Sequence, residues 1–112
     1  MSGLDSTDFA YLPKLEEHAK DEFDAFNTFH SAAQRTDGTV PSKYRELIAL
    51  AVALTTQCPL CIENHTARAK VAGATKEEVS ETLFVAAAVR AGGTVAHGLL
   101  ALRYYETGRA LT

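Results

Sequence analysis

Two stretches of this 112-residue chain, Leu47–Leu54 (LIALAVAL) and Leu83–Val89 (LFVAAAV), are apolar on every face. A helix without a polar side has to be covered all round. One chain of this length has little interior to cover it with. The alanines in both stretches permit close approach of neighbouring helices. The pattern therefore predicts helices packed tightly on one another and on further copies of the same chain. A compact monomer around one central helix is the alternative reading.

The rest of the chain agrees with helix and nowhere alternates like a strand. Leu12, Leu15, Ala19, Phe23, Phe26, His30 and Ala33 recur at three- and four-residue steps, the stripe of an amphipathic helix from about Thr7 to about Gln34. RTDGTVPS breaks it with Gly38 and Pro41. A second helix should begin near Pro41 or Ser42 and carry Leu47, Leu50, Ala51 and Leu54. Pro59 suits the first turn of a third, predicted from about Cys58 to Ala72 and stopped by Gly73. Thr75 with Glu78 makes a capping box that opens a fourth. Gly92 and Gly93 should end or kink that helix, leaving TVAHGLLALRYYETG as a fifth. The expectation is an all-α chain of about five helices, one domain over residues 1–112 with its core at about 41–102, assembling as an oligomer.

Composition narrows the partners. A formal net charge of −3 with scattered Lys and Arg lacks the clustered cations that nucleic acid binding requires. The longest unbroken apolar run has eight residues, Leu47 to Leu54, against about 20 for a membrane-spanning helix. The first residues are acidic and carry no basic-then-apolar leader pattern. We therefore expect no nucleic acid, no membrane and a cytoplasmic location. In that reducing setting a close cysteine pair is more often redox-active or metal-binding than a structural staple.

Both cysteines lie in TTQCPLCIENH, at positions 58 and 61, with a histidine at 65. If Cys58 opens the third helix, 100° per residue puts Cys61 about 60° away and His65 about 20° away, on one face. Residues at this spacing can close a disulfide with little backbone movement. A helix N-terminus favours a thiolate through its free N–H groups and partial positive charge. His65, one turn beyond Cys61, is placed to take the thiol proton.

Glu46 stands at the edge of the most apolar helix, where an unpaired carboxylate is expensive. Pairing with His65 would remove that cost and orient the imidazole, giving a carboxylate–histidine–thiol relay. Solvent exposure, or pairing with Arg45, Lys43 or Lys70, would satisfy it equally well on periodicity alone.

Glu46, eleven residues, Cys58-x-x-Cys61, three residues and His65 together resemble the alkylhydroperoxidase D-like branch of the carboxymuconolactone decarboxylase superfamily. ELIALAVAL and ARAKVAGATKEEVSETLFVAAAVRAGG are similar to that family's core. The resemblance covers roughly Pro41 to Leu102. It implies an all-helical fold, trimers or hexamers with a hexamer expected here, and thiol-dependent peroxidase or disulfide reductase activity without a cofactor. By the same resemblance Cys61 attacks a hydroperoxide or protein disulfide, His65 is its base, Glu46 supports His65, and Cys58 resolves the intermediate. A lipoyl or thioredoxin-like dithiol then resets the pair. The cysteine pair argues against lactone decarboxylation. Some alkylhydroperoxidases carry a histidine between the cysteines, where this chain has Leu60.

Other readings compete. Cys58, Cys61 and His65 with His97 or Glu46 could ligate zinc without redox turnover, although structural zinc sites usually join two short ligand pairs. A thioredoxin-like module would need a strand before CPLC, and its flanks lack the βαβ pattern. Inert buried cysteines are the third reading. His97 could approach the cysteines from a neighbouring helix as a supporting residue. His30 reads as a satisfied core or interface histidine, His18 as solvated, and Tyr104 and Tyr105 as packing residues.

Overall fold

In the computed structural model, residues 3–4 and 6–108 are described; the ends of the single domain expected over 1–112 lie outside them. A 3-10 helix, Ser6–Tyr11, leads into α1 (Leu12–His18) and α2 (Lys20–Ala33). Then come α3 (Ser42–Thr56), α4 (Pro59–Val71) and α5 (Lys76–Thr107). The chain is all-α among the described residues, with five α-helices, but two of the expected boundaries moved.

The first helix is not continuous. It begins as a 3-10 segment, with Pro13 in the first turn of α1, and breaks at Ala19, whose backbone leaves the helical region at φ −145° and ψ 55°. No Pro or Gly marks Ala19, so the apolar stripe ran straight through the break. The opposite error occurs at the other end. Gly92 and Gly93 do not end α5, which runs unbroken for 32 residues. A glycine inside a helix costs only about 1 kcal/mol, and the capped, alanine-rich segment on its N-terminal side outweighs that.

Local chemistry explains the other boundaries. The Thr75 hydroxyl accepts from the Glu78 N–H, and the Glu78 side chain accepts from the Thr75 N–H, completing the capping box of α5. Gly73, at φ +97°, makes the left-handed exit from α4 that a side chain would resist. The turn from α3 into α4 uses Gln57 at φ 56°, an unfavourable conformation for a residue with a Cβ. It reverses the chain in two residues, and Cys58 N–H returns to Ala53 O at 3.1 Å.

The core is small. Leu47, Leu50 and Ala53 of α3 meet Ala69 of α4 and Ala86 of α5. These α3 positions follow one another at three-residue steps along one helix face. Ala69 is fully buried, and its small side chain lets α4 lie close against α3. Arg90 of α5 donates to the Thr55 carbonyl, and Lys43 pairs with Glu78 at 2.9 Å, so both ends of α3 are tied to α5. The α1–α2 arm is held at its far end by Arg45, whose Nε donates to Val40 O at 2.8 Å and whose guanidinium reaches Ala33 O at 2.7 Å. Gly38 permits this: a Cβ there would collide with the Arg45 side chain.

From Phe84 onward, α5 leaves many of its large apolar side chains uncovered by its own chain. Phe84, Val85, Val89, Val95, Leu99 and Leu102 are all exposed. The accessible surface is 9073 Å² for 12.1 kDa, where a compact monomer of that mass shows about 6,000 Å². The radius of gyration, 18.8 Å, compares with about 13 Å for a compact chain of 100 residues. By length and composition alone α5 also meets the requirement for crossing a membrane, with a mean hydropathy of 1.5 over its most apolar 18-residue window. That property was hidden while the glycine pair divided the segment.

Candidate functional site

Cys58 caps α4 in extended conformation and Pro59 takes the first helical position. The ring fixes φ and lacks an N–H that would be unpaired there anyway. Cys61 follows in the first turn of α4. The two half-buried cysteines are joined as a disulfide, with Cα atoms 5.3 Å apart, inside the usual span. Cys58 thus precedes the helix rather than opening it, and the turn at Gln57 brings its sulfur round to Cys61.

Cys61, His65 and Arg68 lie at four- and three-residue steps along α4, next to the buried Ala69. His65 is buried, and so is Glu46, which α3 presents from the facing helix. His65 Nδ1 and Glu46 Oε2 are 2.7 Å apart. A carboxylate only accepts, so Nδ1 donates and the lone pair of the ring rests on Nε2. The other carboxylate oxygen, Oε1, faces Arg68 Nε at 3.4 Å. Both oxygens of a buried carboxylate are therefore met, which avoids the cost of an unpaired charge. Of the partners that spacing left open for Glu46, the structure selects His65. It adds Arg68, which spacing had not suggested although it lies one turn beyond His65. Arg45 serves carbonyl oxygens and Lys43 serves Glu78.

A cavity of about 390 Å³ opens on the Glu46–His65 pair from the side of α2. Val40, Ile48 and Ala49 form apolar walls, and His30, Gln34 and Arg45 supply polar edges. His30 is exposed rather than buried in a core. Its ring stacks on Phe26 at 5.5 Å, and Gln34 Nε2 donates to its Nε2 at 3.1 Å. Periodicity could not have revealed this cavity, because α2 and α3 meet only through the turn that Arg45 holds.

The remaining candidates lie elsewhere. His97 is exposed on the distal half of α5 and does not line the Glu46–His65 cavity. His18 is exposed at the end of α1. Tyr104 and Tyr105 are exposed too, with Arg103 stacked over the Tyr104 ring at 5.3 Å. Among the described residues of this disulfide-linked state, no group of three or more His, Cys, Asp or Glu side chains is gathered as a metal site. The element before Cys58 is the helix α3 and not a strand, which removes the thioredoxin-like reading.

Fold and site together define an all-helical protein in which a Cys-x-x-Cys disulfide starts the helix that carries a buried, carboxylate-held histidine. The chain belongs to the carboxymuconolactone decarboxylase family, whose model matches residues 20–104. It is 48% identical over 66 residues to uncharacterized protein 4 in the cox locus of Paracoccus denitrificans, a match spanning 59% of this chain and 60% of that protein. It is 33% identical over 82 residues to an uncharacterized protein of Cupriavidus necator, covering 73% of this chain and 72% of that one. The crystal structure of an apo carboxymuconolactone decarboxylase family protein from Legionella pneumophila superposes with a TM-score of 0.66 at 32% identity, over 88% of each chain.

Proposed function

We propose that the protein is a thiol-dependent peroxidase or disulfide reductase of the alkylhydroperoxidase-like kind. The observation that carries this reading is the Cys58–Cys61 disulfide on the helix whose His65 is fixed by Glu46 at 2.7 Å. In the reduced protein, His65 Nε2 takes the proton of Cys61. The thiolate attacks the outer oxygen of a hydroperoxide; an S–O bond forms, the O–O bond breaks, and the leaving alkoxide takes the proton from His65. Cys58 then attacks the Cys61 sulfur, forming S–S and breaking S–O, and the hydroxyl leaves as water with the Cys58 proton. An external dithiol, lipoyl or thioredoxin-like, exchanges with this disulfide and is itself oxidised. Against a protein disulfide, the same dithiol runs the exchange without the oxygen steps.

The working unit in this reading is a homo-oligomer, a hexamer as first choice. The excess accessible surface, about 3,000 Å² over a compact monomer of this mass, is the size of an obligate interface. The apolar faces of α5 supply its chemistry. Subunit packing explains α5 better than a bilayer does: Arg90 lies near its middle and is bonded to Thr55 of α3, and a charge at bilayer depth costs about 3 kcal/mol.

A peroxide-consumption assay with several dithiol reductants tests the activity. Turnover that requires both cysteines supports the proposal. A protein that neither consumes organic hydroperoxide nor reduces disulfides with any of them defeats it.

A further inference from the structure

We propose that the cavity between α2 and α3 is a binding site for a small organic carboxylate, with its anionic head on Arg35 and Arg45 and its apolar body against Val40, Ile48 and Ala49. Two observations lead there. The first is the crowding of two cations at Gly38. Arg35 Nε and Arg45 Cζ each lie 2.9 Å from the point a Gly38 Cβ would occupy, and so within twice that distance of each other. Like charges this close repel, and the hydrogen bonds of Arg45 go to the Val40 and Ala33 carbonyls rather than to an acid. An oxyanion between the two guanidinium groups reverses the sign of that interaction and matches their planar donor geometry.

The second observation is what the cation pair borders. Arg45 is also part of the wall of the 390 Å³ cavity, which Ala33, Val40, Ile48 and Ala49 line with carbon beside the polar side chains of His30, Gln34, Glu46 and His65. A volume of this size with few convergent polar groups is characteristic of small-molecule sites. The two features are contiguous through one side chain, so a single ligand can use both. Its head carries one charge: Glu46 lines the same cavity and repels a dianionic phosphate more than a carboxylate. Its body is short and uncharged. Beside Arg45 the wall offers the carbon of Ala33, Val40, Ile48 and Ala49, the His30 and Gln34 edges, and the Glu46–His65 pair, whose carboxylate disfavours a second negative charge.

The cavity touches Glu46 and His65 but neither cysteine lines it, so the site is separate from the sulfurs and stands whether or not they turn over. The ligand it holds would lie against the carboxylate–imidazole pair.

Calorimetric titration of the oxidised protein at fixed ionic strength with butanoate, butanamide and inorganic phosphate tests this. Butanoate should bind saturably, at least tenfold more tightly than butanamide and more tightly than phosphate. Arg35→Gln, which leaves the Arg45 anchor of the arm in place, should weaken butanoate about tenfold. Ile48→Trp, at an exposed rim position, should fill the cavity and abolish binding, with circular dichroism confirming that both variants fold. Equal affinity for the amide, preference for phosphate, insensitivity to either variant, or no saturable binding would each overturn the proposal. Peroxide turnover is measured separately, so failure here is distinguishable from failure of the redox reading.

Discussion

Glu46 and His65 stand nineteen positions apart in the chain and 2.7 Å apart in the fold, each buried, one on each of the two helices that form most of the core. Because Glu46 occupies Nδ1, the free lone pair of His65 sits on Nε2. In the proposed redox cycle, His65 stands one turn after Cys61, and that lone pair takes the thiol proton.

Removing the base should slow the thiol. In the reduced protein, His65→Gln is expected to slow iodoacetamide alkylation at neutral pH by at least about tenfold, in keeping with the effect of a positioned base. The rise of alkylation rate with pH should also move to higher pH. A pH–rate curve that overlays the parent would show that the assigned base is wrong.

The pair should couple in stability as well. His65→Leu leaves a buried carboxylate with only the 3.4 Å contact to Arg68 and should destabilise by about 3 kcal/mol. Glu46→Leu combined with His65→Leu replaces both polar partners by apolar groups and should recover most of that loss. Urea denaturation of the two singles and the double closes the cycle; strictly additive losses would mean that the hydrogen bond does not couple the residues.

The start of α5 should be acid-sensitive. The Thr75 backbone N–H, and next Lys43, hold the Glu78 carboxyl below the usual carboxylate range. Its contribution is therefore complete above that range and is lost as pH falls through the lowered value. Lys43 is raised by the same bond to Glu78, so its contribution persists below the lysine range and is lost only as pH rises beyond about 10.4. The protection factor at the first turn of α5, which is the hydrogen exchange corrected for its intrinsic pH dependence, should fall at acid pH in the parent and be low already, and flat with pH, in Glu78→Gln. Identical acid profiles would remove this capping account.

Assembly is testable on residues of the exposed half of α5. Val95 and Leu99 are 71% and 63% exposed, so Val95→Glu with Leu99→Glu should leave the α3–α4–α5 core intact while dissociating the oligomer. Sedimentation equilibrium should give a hexamer for the parent and smaller species for the variant. A parent that stays monomeric, folded and soluble would contradict the interface argument.

Much of this was legible from residue types alone. Pro59, Gly73 and the Thr75–Glu78 pair act within one turn of themselves, so the helix ends they govern could be read directly. The break at Ala19 and the continuity through Gly92 and Gly93 could not, because both depend on competition among weak local terms. At the site, the spacing of Cys58, Cys61 and His65 lies within one helix and its cap and was readable. The choice of His65 and Arg68 as partners of Glu46 depends on how α3 and α4 cross, and the cavity beside His30 depends on where Arg45 pins the arm. Neither is encoded in a period.

The central claim is that Cys58 and Cys61 are a working dithiol–disulfide pair. The most direct test is intact mass of the fully reduced protein after one equivalent of organic hydroperoxide, and again after an added dithiol. The account predicts the loss of two hydrogens per chain, the link mapped to Cys58–Cys61, and full return of the reduced mass with the dithiol. A dithiol that survives the peroxide unchanged, with metal bound stoichiometrically, would contradict it.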